Sequence, residues 1–357
     1  MKTDQDNNSR LDEPRAKKAE LSSLAMLAFI LSIVSIASVF MPTVVPCFLV
    51  PFLAIPSIVL GGIALITIKR SRGGRRGNWM AGIAITISFV WVTFFFVLVP
   101  VLVGIKRYAF EVKQRVQLLS IATAIELFKS EFGRYPPSDA LDGDGTPYCG
   151  AMKLCEAVVG QDLLGVHPDT VFRSDGTDGK GTMLYFDAND LSVPVYRYDD
   201  IMRKGPYLPI ENVNAYRLRD LYQDVGPFDG NTFVICDMYK TIVNISAGKT
   251  IHMPVLYYKA DTAKSAHDVN DPNNPENIYD YRDNQALLAL GVPGKPGQKH
   301  PLFENPKIFY EMTRDYRATK VNRPVRADTY ILLSAGWDGL YGTQDDIPNF
   351  EMRWKPK

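Results

Sequence analysis

The stretch SAGWDGLYGTQDDI, Ser334 to Ile347, gathers Asp338, Asp345 and Asp346 on one short segment, with Gly336, Gly339 and Gly342 between them. It follows directly on an apolar run, Tyr330 to Leu333. Carboxylates seven and eight residues apart, joined by glycines, let a chain fold back on itself. Such a loop can present side-chain and backbone oxygens to one point, and a hard cation such as Ca²⁺ takes six to eight oxygens at roughly 2.4 Å. Without a cation, two carboxylates about 4 Å apart repel by roughly 1–4 kcal/mol. The pattern is not an EF-hand, because no Glu follows at the twelfth position. A solvated Asp/Gly hairpin would have the same spacing, so both readings stand at this point.

The other motifs are weaker. DGDG at Asp142–Gly145 and SDGTDGKG at Ser174–Gly181 read as turns; the first has Lys153 where an EF-hand needs its Glu. SAGKT at Ser246–Thr250 resembles the end of a phosphate-binding loop, but Val243 stands where the first Gly is required, so no nucleotide is expected. His167, His252, His267 and His300 are scattered without metal-ligand spacing. No Gly-x-Ser-x-Gly occurs, and no Ser-x-x-Lys with its companion motifs, so an enzyme is not expected. A net charge of +1 leaves no electrostatic footprint for nucleic acid.

These residues are carried by a chain of 357 residues with two long uncharged stretches, Leu21 to Ile68 and Asn78 to Ile105. A bilayer core needs roughly 20 apolar residues in a helix that rises about 1.5 Å per residue. The first stretch suits two crossings, punctuated by Pro42, Pro46, Pro51 and Pro56, and the second suits one tilted crossing. The expected spans are 22–41, 51–68 and 79–104, with a turn near 42–50. A signal peptide followed by a soluble protein does not fit, since its apolar region is only about 7–15 residues. Lys69, Arg70, Arg72, Arg75 and Arg76 lie between spans two and three, and Arg15, Lys17 and Lys18 precede span one. By the positive-inside rule both clusters are cytoplasmic, which puts everything after Ile105 outside. Cys149, Cys155 and Cys236 are then where a disulfide is permitted, whereas Cys47 lies in the membrane module. A Cys149–Cys155 pair and free thiols both remain open.

Residues 1–20 are polar and read as a disordered cytoplasmic tail. After the membrane module of residues 21–105, Leu118, Ile121, Ile125, Phe128 and Phe132 recur on one helical face, and Gly133 with Pro136-Pro137 ends the helix. Since only Pro100 and Gly104 interrupt it, span three and this helix form one long element. Strands are expected at 183–188, 232–239, 241–246, 254–260 and 329–335, rich in β-branched and aromatic residues. Polar Pro/Gly/Asn/Asp stretches at 268–277 and 291–301 read as loops. The expected fold class is α+β, a transmembrane helical module followed by a long helix packed on an antiparallel sheet.

The helix end AIELFKSEFGRYPPS (Ala124–Ser138) resembles that of the major pseudopilin of bacterial type II secretion, general secretion pathway protein G, with its aromatic residue and Gly-Arg-Tyr-Pro. TYILLSAGWDGLYGTQDDIPNF (Thr329–Phe350) resembles the same family's final strand and acidic loop. The resemblance implies a pilin-like domain over 106–350, with large insertions around 140–230 and 261–326. It also implies Ca²⁺ held by Asp338, Asp345 and Asp346 with backbone oxygens. The front departs from the family: no leader cleavage site is found, and the third span begins NWMAGIAITIS without the family's Glu. Ordinary processing and fibre assembly are therefore not expected. Instead, Leu53–Phe89 resembles a small bacterial multi-span membrane domain of unknown function, whose Gly61, Gly62 and Gly82 let helices approach closely.

Taken together, the expectation is a multi-pass protein of the bacterial cytoplasmic (inner) membrane, N-terminus inside and C-terminal domain extracytoplasmic. Its partners would be membrane lipid and other secretion or pilin-like proteins. The alternative is a stand-alone extracytoplasmic binding or sensing domain that uses the insertions for recognition.

Overall fold

The structure, a computed structural model, describes residues 20–39, 45–71, 75–185, 203–209, 213–239, 242–244, 249–295, 297–318 and 322–354. The expected tail, the residues at 40–44, part of the basic loop, most of SAGKT and a stretch of the first expected insertion lie outside these. The chain divides into two units, Met1–Lys106 and Arg107–Lys357.

In the first unit a short parallel pairing joins β1 (Glu20–Leu21) to β2 (Arg75–Arg76). The helices are α1 (Ser23–Val39), α2 (Val45–Arg70) and the start of α3, a single 55-residue helix over Asn78–Phe132. The turn expected near 42–50 is shorter than that, because α2 already begins at Val45 and carries Pro46, Pro51 and Pro56 within it. Pro46 falls in the first turn, where its missing N–H has no helical partner to lose. In a helix packed against neighbours the inner prolines are tolerated.

The packing of this unit is inverted relative to a soluble bundle. Its buried positions are small: Ala25, Ala28 and Ser32 on α1, Ala54, Ser57 and Ala64 on α2, Ala81, Ala84 and Ser88 on α3. Large apolar side chains such as Ile30, Ile55, Val59, Ile66, Phe89 and Phe94 point outward. Ser57 Oγ donates to the Ala28 carbonyl oxygen at 2.8 Å. A Cβ on Gly61 would fall 2.8 Å from Ile85 Cγ1, so glycine is what lets α2 and α3 approach there. Small-residue seams of this kind pack helices in lipid, where water does not drive large side chains inward. Leu53–Arg70 of α2 is long and apolar enough to cross a membrane; the apolar helical stretches Ser23–Ser35 and Asn78–Phe94 are shorter.

α3 is unbroken at Pro100 and Gly104, as expected, and in the second unit it ends at Phe132. The Gly133 N–H donates to the Lys129 carbonyl at 2.8 Å. The elements that follow include α4 (Gly150–Val159), β3 (Ala215–Arg217), α5 (Leu218–Leu221), β4 (Phe233–Ile235), β5 (Ile242–Asn244), β6 (Lys249–Ile251) and β7 (Leu256–Lys259). After them come α6 (Gln285–Ala289), α7 (Pro301–Glu304), α8 (Lys307–Met312), β8 (Tyr330–Ser334) and β9 (Ile347–Pro348). The mixture is α+β.

The central sheet is antiparallel in the order β7-β8-β9, with Leu256 opposite Leu333, Lys259 opposite Tyr330 and Ser334 opposite Ile347. Successive strand residues point to opposite faces, and β8 sorts its side chains accordingly. Tyr330 and Leu332 join Tyr257 in a cluster with Leu118, Ile121 and Ile125 of α3. Ile331 and Leu333 join Leu256 and Tyr258 in the cluster holding Phe309 and Tyr310 of α8. Both faces are covered, which is why the whole of β8 is buried. The Gln117 amide Nε2 donates to the Cys236 carbonyl at 2.9 Å, adding a polar tie between α3 and the chain beyond β4.

α4 lies within the first expected insertion, yet every one of its residues is buried, including Lys153 and Glu156. Lys153 Nζ donates to the carbonyls of Asp139 and Leu141, each at 2.8 Å. Cys149, Cys155 and Cys236 are buried free thiols, and burial pushes the Cys149 thiol up to about 11.

The docking of α3 on the sheet is testable. Ile121 is 0% exposed and Leu119 is 68% exposed. Ile121→Val should cost about 1 kcal/mol in denaturant unfolding of the detergent-solubilised chain, and Leu119→Ala within about 0.5 kcal/mol. Equal losses would mean that the helix presents a different face.

Candidate cation site in the acidic loop

Strand β8 enters the acidic loop at Ser334, and β9 leaves it at Ile347, so the loop is closed at its base by the Ser334–Ile347 pairing. Gly336 has φ of +66°, and a Cβ there would overlap the carbonyl oxygen of Asp345. The two arms of the loop therefore cross in close contact, and a side chain at 336 would force them apart. This fold-back brings residues seven and more apart in sequence to one place.

The three carboxylates meet different environments. Asp346 is 4% exposed. Its Oδ2 accepts from the Gly342 N–H at 2.7 Å, and its Oδ1 is buried without a hydrogen-bond partner. Burial, and then the nearby Asp338 charge, hold its carboxyl well above the usual range. Asp338 is half-buried; its Oδ1 accepts from the Leu340 N–H at 2.8 Å. Burial raises its pKa too, with Asp345 contributing repulsion. Asp345 is ion-paired: Arg107 on α3 donates Nη2 to its Oδ1.

The loop offers carboxylate and carbonyl oxygens, the donor type that a hard cation takes. A buried carboxylate oxygen with no partner is a costly arrangement, and two further acids close enough to repel it raise that cost. Ca²⁺ is bound through such oxygens together with backbone carbonyls. Among the described residues no three His, Cys, Asp or Glu side chains already converge as a ligand set. Asp345 is engaged by Arg107 instead.

Sequence reasoning missed two neighbours of the loop. Arg107 lies 238 residues before its partner, and no local pattern marks it. Asp237 is fully buried beneath the loop: Ser334 Oγ donates to its Oδ2 at 3.2 Å and accepts from the Gly336 N–H at 3.3 Å. Burial pushes the Asp237 carboxyl up to about 8. The run ICDMYK around it reads as a strand, so nothing distinguishes this acid from a solvated one.

Most of the remaining candidates among the described residues have internal contacts. The DGDG and SDGTDGKG turns come together on Arg173, which pairs with Asp144 and Asp175, while Asp142 Oδ2 accepts from the Ser174 N–H at 3.1 Å. Glu156 collects the hydroxyls of Tyr148, Tyr185 and Thr170 and the Gln161 amide. His252 Nδ1, His267 Nε2 and His300 Nε2 each face a backbone carbonyl, those of Asp237, Tyr310 and Gly291. Burial lowers His267 and His300 to about 4, so both are neutral at physiological pH.

Compared with known proteins, no family model, no curated protein and no solved structure matches the chain.

Proposed function

We propose that the chain is a membrane-anchored, non-catalytic, pseudopilin-like protein, a component or accessory of a type II secretion or pilus-like system. Its three-span module sits in the bacterial cytoplasmic membrane with the N-terminus inside, and its C-terminal domain lies outside, where Ca²⁺ stabilises the last loop. The observation that carries this reading is the loop itself, in which the buried, unpartnered Asp346 Oδ1 lies among Asp338 and Asp345. Its setting supports the reading: a long helix lies along an antiparallel sheet, and the loop joins that sheet's last two strands. Asp338, Asp345 and Asp346 would hold the cation with backbone carbonyls of the loop. The cation would supply positive charge that the protein otherwise lacks at Asp346.

The small-residue seams of the first unit, with large apolar side chains outward, support a multi-span membrane module. Lys69 and Arg70 at the end of α2, with Arg75 and Arg76 before α3, support the orientation. The histidines and Glu156, tied up by internal partners, support a non-catalytic role.

Two experiments test this. An alkaline phosphatase fusion after Ile105 should be active and one at Gly73 inactive; the reverse pattern would overturn the topology. Crosslinking in cells should join the chain to secretion-system or pilin-like proteins. A strictly lone monomer would instead favour a stand-alone binding or sensing domain.

A further inference from the structure

Of the three loop carboxylates, Asp345 is the one already neutralised by a cationic side chain. The ion pair ties the loop to α3. Beside Arg107 on that helix, the Phe110 ring packs on Tyr239 and Trp337 at centroid distances of 6.0 and 6.2 Å. Trp337 immediately precedes Asp338, so this stretch of helix meets the loop on both its apolar and its charged side. Arg115 pairs with Glu111 at 2.9 Å. Arg107 and Asp345 are 51% and 20% exposed and line an open groove of about 710 Å³ between α3 and residues 344–352. Solvent ions can therefore reach the pair.

Asp346 Oδ1, buried and without a hydrogen-bond partner, is a second observation in the same loop that points to a cation ligand. A guanidinium on Asp345 and a divalent ion on the same cluster repel each other, and they compete for the same oxygens.

Resting on the calcium reading of the loop, we propose that Arg107 is the loop's resident counter-cation. It neutralises Asp345 while the loop is metal-free, and it competes with an incoming divalent cation for that carboxylate. Metal binding thereby releases the loop from α3. Arg107 sets the affinity of the site as well as the stability of its empty form.

The test is calorimetric titration of the intact, detergent-solubilised chain with calcium chloride. Arg107→Ala should tighten calcium binding by about three- to tenfold and lower the melting temperature in chelator. Arg107→Lys, which keeps the charge, should bind like the wild type. Arg107→Gln, which keeps the length without the charge, should behave like the alanine variant and serves if that one fails to fold. In an Asp345→Asn background, where the pair is already gone, Arg107→Ala should lower the melting temperature in chelator no further. If the wild type binds calcium and the uncharged variants bind it equally or more weakly, the competition is overturned and the calcium site stands. If the wild type takes up no calcium, the site itself falls, and this inference with it.

Discussion

Adding 1 mM calcium to the intact, detergent-solubilised chain should raise the melting temperature of its C-terminal unit by about 5–10 °C over chelator. A ligand at a hundred times its dissociation constant stabilises the native state by about 2.7 kcal/mol, and a site of about 10 μM affinity is at that point in millimolar calcium. For a unit of this size each kcal/mol moves the midpoint by roughly 2–4 °C. The gain comes from the unpartnered Asp346 Oδ1 and from repulsion among the three acids. Asp346→Asn should abolish the calcium response with little loss of fold, because an amide oxygen can still accept from the Gly342 N–H. Asp345→Ala should also erase the response. Identical melting in calcium and chelator would mean that the loop is a closed turn and nothing more.

The second large effect is a pH dependence centred on Asp237. Its carboxyl titrates at about 8 in the folded chain, against about 3.9 when unfolded. Between these values the folded state holds a proton that the unfolded state has released. The stabilisation is therefore complete below about pH 4 and is lost as pH rises towards 8. At one pKa unit per 1.36 kcal/mol, this single group should cost on the order of 5 kcal/mol across that window. Asp237→Asn removes the titration and keeps an acceptor for the Met253 N–H, now 3.3 Å away. In chelator, the stability difference between wild type and variant should swing in the variant's favour from pH 4 to pH 8. Parallel curves would refute the buried, protonated acid. His267 and His300 act with the opposite sign. Their folded values near 4 lie below the unfolded value, so their contribution is present above about pH 6.5 and is lost as pH falls towards 4. Comparing the two proteins at each pH cancels this contribution.

The elements easiest to read were those with local signatures. The spacing of Leu118, Ile121, Ile125 and Phe128 gives the buried face of α3, because a helix repeats every 3.6 residues. The runs at 254–260 and 329–335 are β7 and β8, pairing as neighbours in one sheet. The turn between α1 and α2 was harder. Pro42 and Pro46 mark it at about 42–50, but α2 already begins at Val45 and takes Pro46 into its first turn, where the missing N–H costs no helical bond. α4 was missed entirely. It is short, it carries Lys153 and Glu156, and its burial rests on partners such as Asp139, Tyr148 and Tyr185 that no periodicity connects to it.

The acidic loop divides in the same way. Residue order alone was enough to mark three acids and their glycines as a potential cation site, because fold-back at glycine is a local backbone property. The differing fates of those acids came from packing: Asp346 is sealed with its Oδ1 unpartnered and Asp345 is held by Arg107, while Asp237 is buried below through Ser334, 97 residues away. Burial and charge pairing depend on which distant segments share a volume, and that is set by the assembled core.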